Sequence, residues 1–232
     1  MIKRRVCVVT GTRAEYGLFV PIMKKIKASE YLELKIIATT MHFSKEFGDT
    51  YKKIEDDGFQ IDEKIENLLS SDTKSSITKS SGLAIILLSD GFSRVKPDIV
   101  LLLGDRFETH AAATTAMLMN IPIGHIHGGE ITEGAIDEKM RHSITKMSNI
   151  HFTSAEIHKD RVIQMGEDSD SVFSFGAPGV DNIMNMNLLN KKELEVELDW
   201  KINKPTALFT YHPETLASQN IREVINSILL II

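Results

Sequence analysis

Four short clusters hold the residues whose types and spacing could do chemistry. The first is Gly11-Thr12-Arg13-Ala14-Glu15-Tyr16-Gly17. A glycine turn leading into a helix presents free N–H groups and the positive end of the helix dipole, which suits a phosphate. Arg13 would add charge-assisted bonds to such an anion, so Gly11 and Arg13 are read as anion-binding residues. An ordinary strand-to-helix turn with a surface arginine fits the same letters. The pattern is not G-x-G-x-x-G, so a nicotinamide or flavin is disfavoured and no cofactor is expected. The second cluster is Gly104-Asp105-Arg106-Phe107-Glu108, directly after the apolar run Ile99–Leu103. Two carboxylates flanking an arginine at a strand end suit acid–base work or sugar-hydroxyl binding. The same letters read as a helix cap, with Asp105 as N-cap and Glu108 as the acidic half of a capping box.

The third cluster runs His125-Ile126-His127-Gly128-Gly129-Glu130 and continues to Asp137-Glu138 and Arg141-His142. Histidines two apart on a strand share one face, and two glycines let the backbone pass close to a ligand. His-x-His-x-x-Glu also has the side chains of a metal site, but no third well-placed ligand follows, and no metal is assigned. Buried histidines with purely structural partners are the plainer reading. The fourth cluster is Tyr211-His212-Pro213-Glu214, where His212 follows a strand-like run. A lone histidine there counts only in combination with the other three.

The elements that must position these residues alternate regularly. Strand-like runs are expected at 5–10, 34–39, 98–103, 121–127, 150–153 and 171–175, and helical patterns at 17–28, 44–57, 75–95, 107–119, 137–147 and 156–165. Several strands are apolar nearly throughout, as when helices cover both faces of a parallel sheet. The expected fold is α/β, a doubly wound Rossmann-like parallel sheet over residues 1–180. Ligands in such sheets sit beyond the carboxyl ends of the strands, where the first three clusters fall. Residues 181–203 read as a linker. Residues 204–232 read as a strand at 206–211 and a helix with apolar residues at Ile221, Val224, Ile225, Ile228, Leu229 and Ile232, the start of a truncated second Rossmann-like domain. That unit docking on the first sheet is the alternative.

Composition narrows the partners. Lys+Arg 27 against Asp+Glu 32 leaves a net charge of −5, so there is no basic excess for a nucleic-acid backbone. The longest apolar stretches fall far short of the ~20 residues a membrane span needs, so no membrane partner is expected. The single cysteine, Cys7, cannot form an intrachain disulfide, which suits a reducing cytoplasm.

Taken together, GTRAEYGL, PDIVLLLGDRFE, IPIGHIHGGEITEGAIDE, RHSITKMS and HPET resemble the UDP-N-acetylglucosamine 2-epimerase family. The similarity is to the hydrolysing branch that feeds sialic-acid and related nonulosonic-acid biosynthesis. The resemblance implies a GT-B-like pair of Rossmann domains with a UDP-sugar in the cleft, and a homodimer in the full-length form. It implies elimination of UDP from UDP-N-acetylglucosamine to a glycal, then water addition to give N-acetylmannosamine. Arg13 matches the family's arginine near the diphosphate, Asp105 and Asp137 match two carboxylates of proton transfer, and His212 matches the second-domain histidine. Many relatives carry Glu where this sequence has His127, so either His127 or Glu130 takes that acid–base role. Glu108 and His125 are expected among the substrate-binding residues. A chain ending at Ile232 is expected to turn over little substrate. The rivals are a UDP-diacetamido-sugar 2-epimerase of legionaminic-acid-type synthesis, a GT-B glycosyltransferase, and a non-catalytic nucleotide-sugar-binding fragment.

Overall fold

The structure, a computed structural model, describes residues 2–69, 71, 73–210 and 221–230. Seven strands form one sheet in which every pairing is parallel, in the order β3-β2-β1-β4-β5-β6-β7. They are β1 (Arg4–Thr10), β2 (Leu32–Thr39), β3 (Glu63–Ile65), β4 (Ile99–Leu103), β5 (Ile123–Ile126), β6 (Ile150–Thr153) and β7 (Val172–Ser174). The helices are α1 (Arg13–Ala28), α2 (Tyr51–Asp56), α3 (Lys74–Val95), α4 (Phe107–Leu118), α5 (Asp137–Met147), α6 (Glu156–Gln164), α7 (Pro178–Asn185), α8 (Lys191–Glu197) and α9 (Ile221–Leu229). The doubly wound parallel sheet is the fold class that the alternation predicts.

Apolar strands are buried on both faces. Cys7, Val9, Ile37, Val100, Leu102 and Ile123 point to one side, where α3, α4 and α5 pack next to one another. Val6, Val8, Ile36, Leu101, Leu103 and Ile126 point to the other, beneath Phe19 and Met23 of α1. Alanines 111, 112, 113 and 116 are fully buried, so α4 lies close to its neighbours. Strand order reverses between β1 and β4, which opens a crevice at their carboxyl ends.

Several local expectations differ. A 3-10 turn, Thr40–Phe43, follows β2, and the helix expected over 44–57 is a second 3-10 turn, Lys45–Phe47, followed by the short α2. Gly48 ends the second turn at φ +85, a left-handed conformation that stops a helix. The three-residue β3 is an edge strand too short to announce itself. Helix α7 begins before residue 180 and runs on to 185, docked on α1, with Asn182 Nδ2 donating to the Gly17 carbonyl at 2.7 Å. Residues 206–210 of the expected final strand have no regular structure, and Tyr211, His212 and Ile232 lie outside the described residues. No helix among the described residues is long and apolar enough to cross a membrane.

Candidate active site at the strand carboxyl ends

The turn after β1 sits at the crevice. Thr12 caps α1, its Oγ1 accepting from the Glu15 amide at 3.3 Å. The first helical amides, Arg13 and Ala14, belong to the group that no helix satisfies internally, and both residues are exposed. Gly11 does not fit the expectation of an anion donor. Its N–H donates to Glu15 Oε2 at 2.9 Å and its carbonyl accepts from the Met41 amide at 3.1 Å. What it contributes is the lack of a side chain: a Cβ there would stand 2.5 Å from Glu108 Cγ. An anion at this turn would therefore meet Arg13 and the helix start rather than Gly11.

The turn after β4 departs from the capping expectation. Arg106, not Asp105, is the N-cap residue of α4, and it makes no side-chain cap. Glu108 is buried and pairs with Arg106, Nε to Oε1 at 2.6 Å, so it faces inward rather than toward a ligand. Gly104 takes φ +82, which swings Asp105 out of the strand line. Its carboxylate accepts a short hydrogen bond from Arg141 Nη2.

The turn after β5 separates the two histidines. His125 is fully buried, with Nε2 against the Gly104 carbonyl at 2.8 Å and Nδ1 against Thr145 Oγ1 at 3.2 Å. Burial pushes its imidazole down to about 3, so it is a neutral strut beneath the site and does not reach a substrate. His127 lies beyond the strand end at φ +67, which breaks the strand alternation. A non-glycine residue in that region stores strain, and His127 is held there by its partners. Its Nδ1 meets Glu130 Oε1 at 2.5 Å, while Nε2 has no partner. The two glycines that follow are needed for close approach. A Cβ on Gly129 would lie 2.4 Å from the His158 carbonyl, and Arg161 of α6 holds the Gly129 carbonyl.

The centre of this arrangement is Arg141, to which the sequence alone assigns no role. Its guanidinium reaches Asp105 Oδ2, Glu130 Oε2 at 2.7 Å and Thr132 Oγ1 at 3.2 Å. Ser154, at the end of β6, donates to Glu130 Oε1 at 2.5 Å. One side chain thus ties together residues from the ends of β4 and β5, on a helix whose first turn carries Asp137. A signal existed in the spacing: Arg141, Ile144, Thr145 and Ser148 form one buried stripe, and an arginine on a buried stripe needs carboxylates. Glu130 is desolvated, yet His127, Ser154 and Arg141 outweigh that and hold its carboxyl at about 2. It is therefore an anion at neutral pH, in contact with His127 Nδ1. His127 Nε2 is buried and has no hydrogen-bond partner among the described residues. Asp137, in the first turn of α5, is half-buried, and its charge acts on Arg106. Asp105, His127, Glu130 and Asp137 are thus brought to one end of the sheet beside Arg13, whereas Glu108 and His125 lie beneath. Among the described residues, no group of three His, Cys, Asp or Glu is placed to hold a metal ion.

Comparison with known proteins gives this geometry a family. A GDP/UDP-N,N'-diacetylbacillosamine 2-epimerase (hydrolyzing) from Campylobacter jejuni is 48% identical over 229 residues, covering 99% of this chain and 59% of that relative. A UDP-N,N'-diacetylbacillosamine 2-epimerase (hydrolyzing) from Legionella pneumophila is 38% identical, covering 97% of this chain and 60% of that relative. The chain thus spans about three-fifths of the length of these curated relatives. The crystal structure of the Neisseria meningitidis UDP-GlcNAc 2-epimerase bound to UDP-GlcNAc superposes with a TM-score of 0.68 at 26% identity, over 78% of this chain and 48% of that one. A family model described as UDP-N-acetylglucosamine 2-epimerase matches residues 24–231, and with these relatives it shows that the chain belongs to the UDP-N-acetylglucosamine 2-epimerase family.

Proposed function

We propose that this protein is a hydrolysing 2-epimerase of a UDP-linked 2-acetamido sugar. The observation that carries the reading is the Asp105–Arg141–Glu130–His127 chain at the carboxyl ends of β4 and β5, beside the anion-binding start of α1. In the first half-reaction a base takes the C2 proton, its electron pair forms the C1=C2 bond, and the bond from C1 to the diphosphate oxygen breaks. UDP leaves with the C1–O bonding pair. In the second, water supplies hydroxyl to C1 and a proton returns to C2 from the opposite face. Two proton-transfer groups on opposite faces of the ring are required. His127, steered by the Glu130 anion through Nδ1, suits one of them, in the way a carboxylate orients a catalytic imidazole. Asp105 or Asp137 suits the other. Arg13 and the α1 amides suit the diphosphate, and His212 would approach from the remainder of the cleft.

The sequence alone favoured UDP-N-acetylglucosamine. The names of the relatives at 48% and 38% identity favour the 2,4-diacetamido sugar UDP-N,N'-diacetylbacillosamine, against 33% for a Neisseria meningitidis UDP-N-acetylglucosamine 2-epimerase. The homodimer and the cytoplasmic setting belong to the same proposal. The test supplies each UDP-sugar to this chain and to one extended to the length of its relatives, and measures UDP release with solvent deuterium entering C2. The longer chain is expected to release UDP faster from the diacetamido sugar, and this chain to be slow with both. Glycosyl transfer to an acceptor without deuterium at C2 would overturn the reading in favour of a glycosyltransferase. UDP binding without turnover in the longer chain would mark a binding protein.

A further inference from the structure

We propose that Glu15 is a positioning residue kept as a neutral carboxylic acid, which shapes the Gly11–Thr12 turn beneath the diphosphate without placing a negative charge there. The diphosphate in that statement rests on the function proposed above; the protonation of Glu15 does not. Two carboxyl groups close on the same glycine. Glu15 Oε2 accepts from the Gly11 amide at 2.9 Å, and Glu108 Oε1 lies 2.7 Å from where a Gly11 Cβ would be. Both residues are buried, Glu15 at 6% and Glu108 at 1% exposure, and one guanidinium, Arg106, serves the pair. It bonds Glu108 and spends another nitrogen on Met41 Sδ. Glu108 Oε2 is buried without a hydrogen-bond partner, so the pocket already holds one imperfectly satisfied carboxyl group.

A second anion there would be costly, and burial beside Glu108 outweighs the Gly11, Thr109 and Arg106 contacts that favour an ionised Glu15. Its Oε2 accepts from the Gly11 N–H, and its Oε1 accepts from Thr109 Oγ1 at 3.3 Å, a hydroxyl that can also accept from a carboxylic acid. Burial first, then the Glu108 charge, push Glu15 up to about 8. The other charged or titratable groups around this turn are the exposed Arg13 and buried Tyr16 of α1, Arg106 and Glu108 at the start of α4, Asp137 of α5 acting on Arg106, and His42 from the turn after β2. His42 is buried and held neutral, at about 4. Arg106 is the cation that acts on Glu15, while Arg13 is turned out to solvent.

Glu15→Gln reproduces both contacts without a titratable proton, so it separates charge from shape. Carbon-13 titration of the glutamate carboxyls in this chain is expected to place Glu15 near pH 8; a midpoint near 4.5, its ordinary value, overturns the proposal. Melting temperatures of wild type and E15Q are expected to agree near pH 5 and to separate by several degrees in favour of E15Q by pH 9. Parallel curves overturn the proposal, and the titration decides the matter if E15Q does not fold. Pyrophosphate serves as the anion probe. Its affinity for wild type relative to E15Q is expected to drop about fivefold between pH 7 and 9, the effect of one unit charge a few ångströms away in water-like surroundings. An unchanged ratio overturns the charge-exclusion argument. No pyrophosphate binding to either chain overturns the diphosphate reading instead, while the carboxyl titration still judges Glu15.

Discussion

Replacing Arg141 with leucine should unlock the candidate site and cost the fold stability at the same time. The arginine side chain is 9% exposed, and its two carboxylate partners, Asp105 and Glu130, are 17% and 25% exposed. Breaking a fully buried ion pair from one side costs about 3–5 kcal/mol, because the remaining charge stays uncompensated. Water reaches both carboxylates in part, which lowers the figure to about 2–4 kcal/mol. For a chain of this length ~1 kcal/mol corresponds to ~2–4 °C in melting temperature, so the expected loss is on the order of 5–15 °C at pH 7. Thermal unfolding followed by circular dichroism measures it. A double variant, R141L with Asp105→Asn, removes one stranded charge and should recover part of the loss, since the two sites share one network. A melting temperature for R141L within about 1 °C of wild type would refute the reasoning, because it would mean that solvent already screens these charges.

Three other outcomes follow from close contacts and buried protons. Gly11→Ala should cost about 1–3 kcal/mol, as a Cβ 2.5 Å from Glu108 Cγ must displace a buried, ion-paired side chain. Gly129→Ala should cost more in the same denaturation assay, because its Cβ meets the His158 backbone carbonyl at 2.4 Å and its φ is +79. Stability should pass through a maximum near pH 6.5. Unfolded histidine takes a proton at about 6.5, whereas burial holds folded His42 and His125 neutral until about 4 and 3, so the unfolded state gains protons and stability falls as pH drops below 6.5. Glu130 adds to this at lower pH: its folded carboxyl stays ionised to about 2, and that stability is lost between about 4.5 and 2. Above 6.5 the sign reverses, because folded Glu15 keeps a proton that the unfolded chain has released since about 4.5. Melting temperatures rising steadily from pH 5 to 9 would contradict the Glu15 assignment, and ones falling steadily over that range would contradict the histidine assignments.

The sheet was legible in the chain because its strands are short, apolar and separated by helical periodicity, so burial on both faces leaves a mark in every strand. Helix α5 could be placed to the residue, and Pro122 and the Lys96-Pro97 break marked the starts of β5 and β4. The three-residue β3 and the 3-10 turns after β2 left no comparable mark, because each is held by neighbours from other parts of the chain rather than by its own pattern. The candidate site divides in the same way. Local letters were enough to bring Asp105, His127, Glu130 and Asp137 to the strand ends, since a parallel sheet puts every such turn on one side.

Which of those residues face a ligand was decided only by packing. His125 and His127 are two apart, yet His125 is fully buried in its strand while His127, left-handed beyond the strand end, bonds Glu130. Glu130 and Glu15 carry the same group and are driven to about 2 and about 8, because one meets Arg141, His127 and Ser154 and the other meets Glu108 in a buried pocket. Arg141 joins positions 105, 130 and 132, from loops that only the order β1-β4-β5-β6 brings side by side. The sequence by itself determined which chemical groups gather at the end of this sheet. The tertiary structure decided their charge, because ionisation depends on solvent exclusion and on partners distant along the chain.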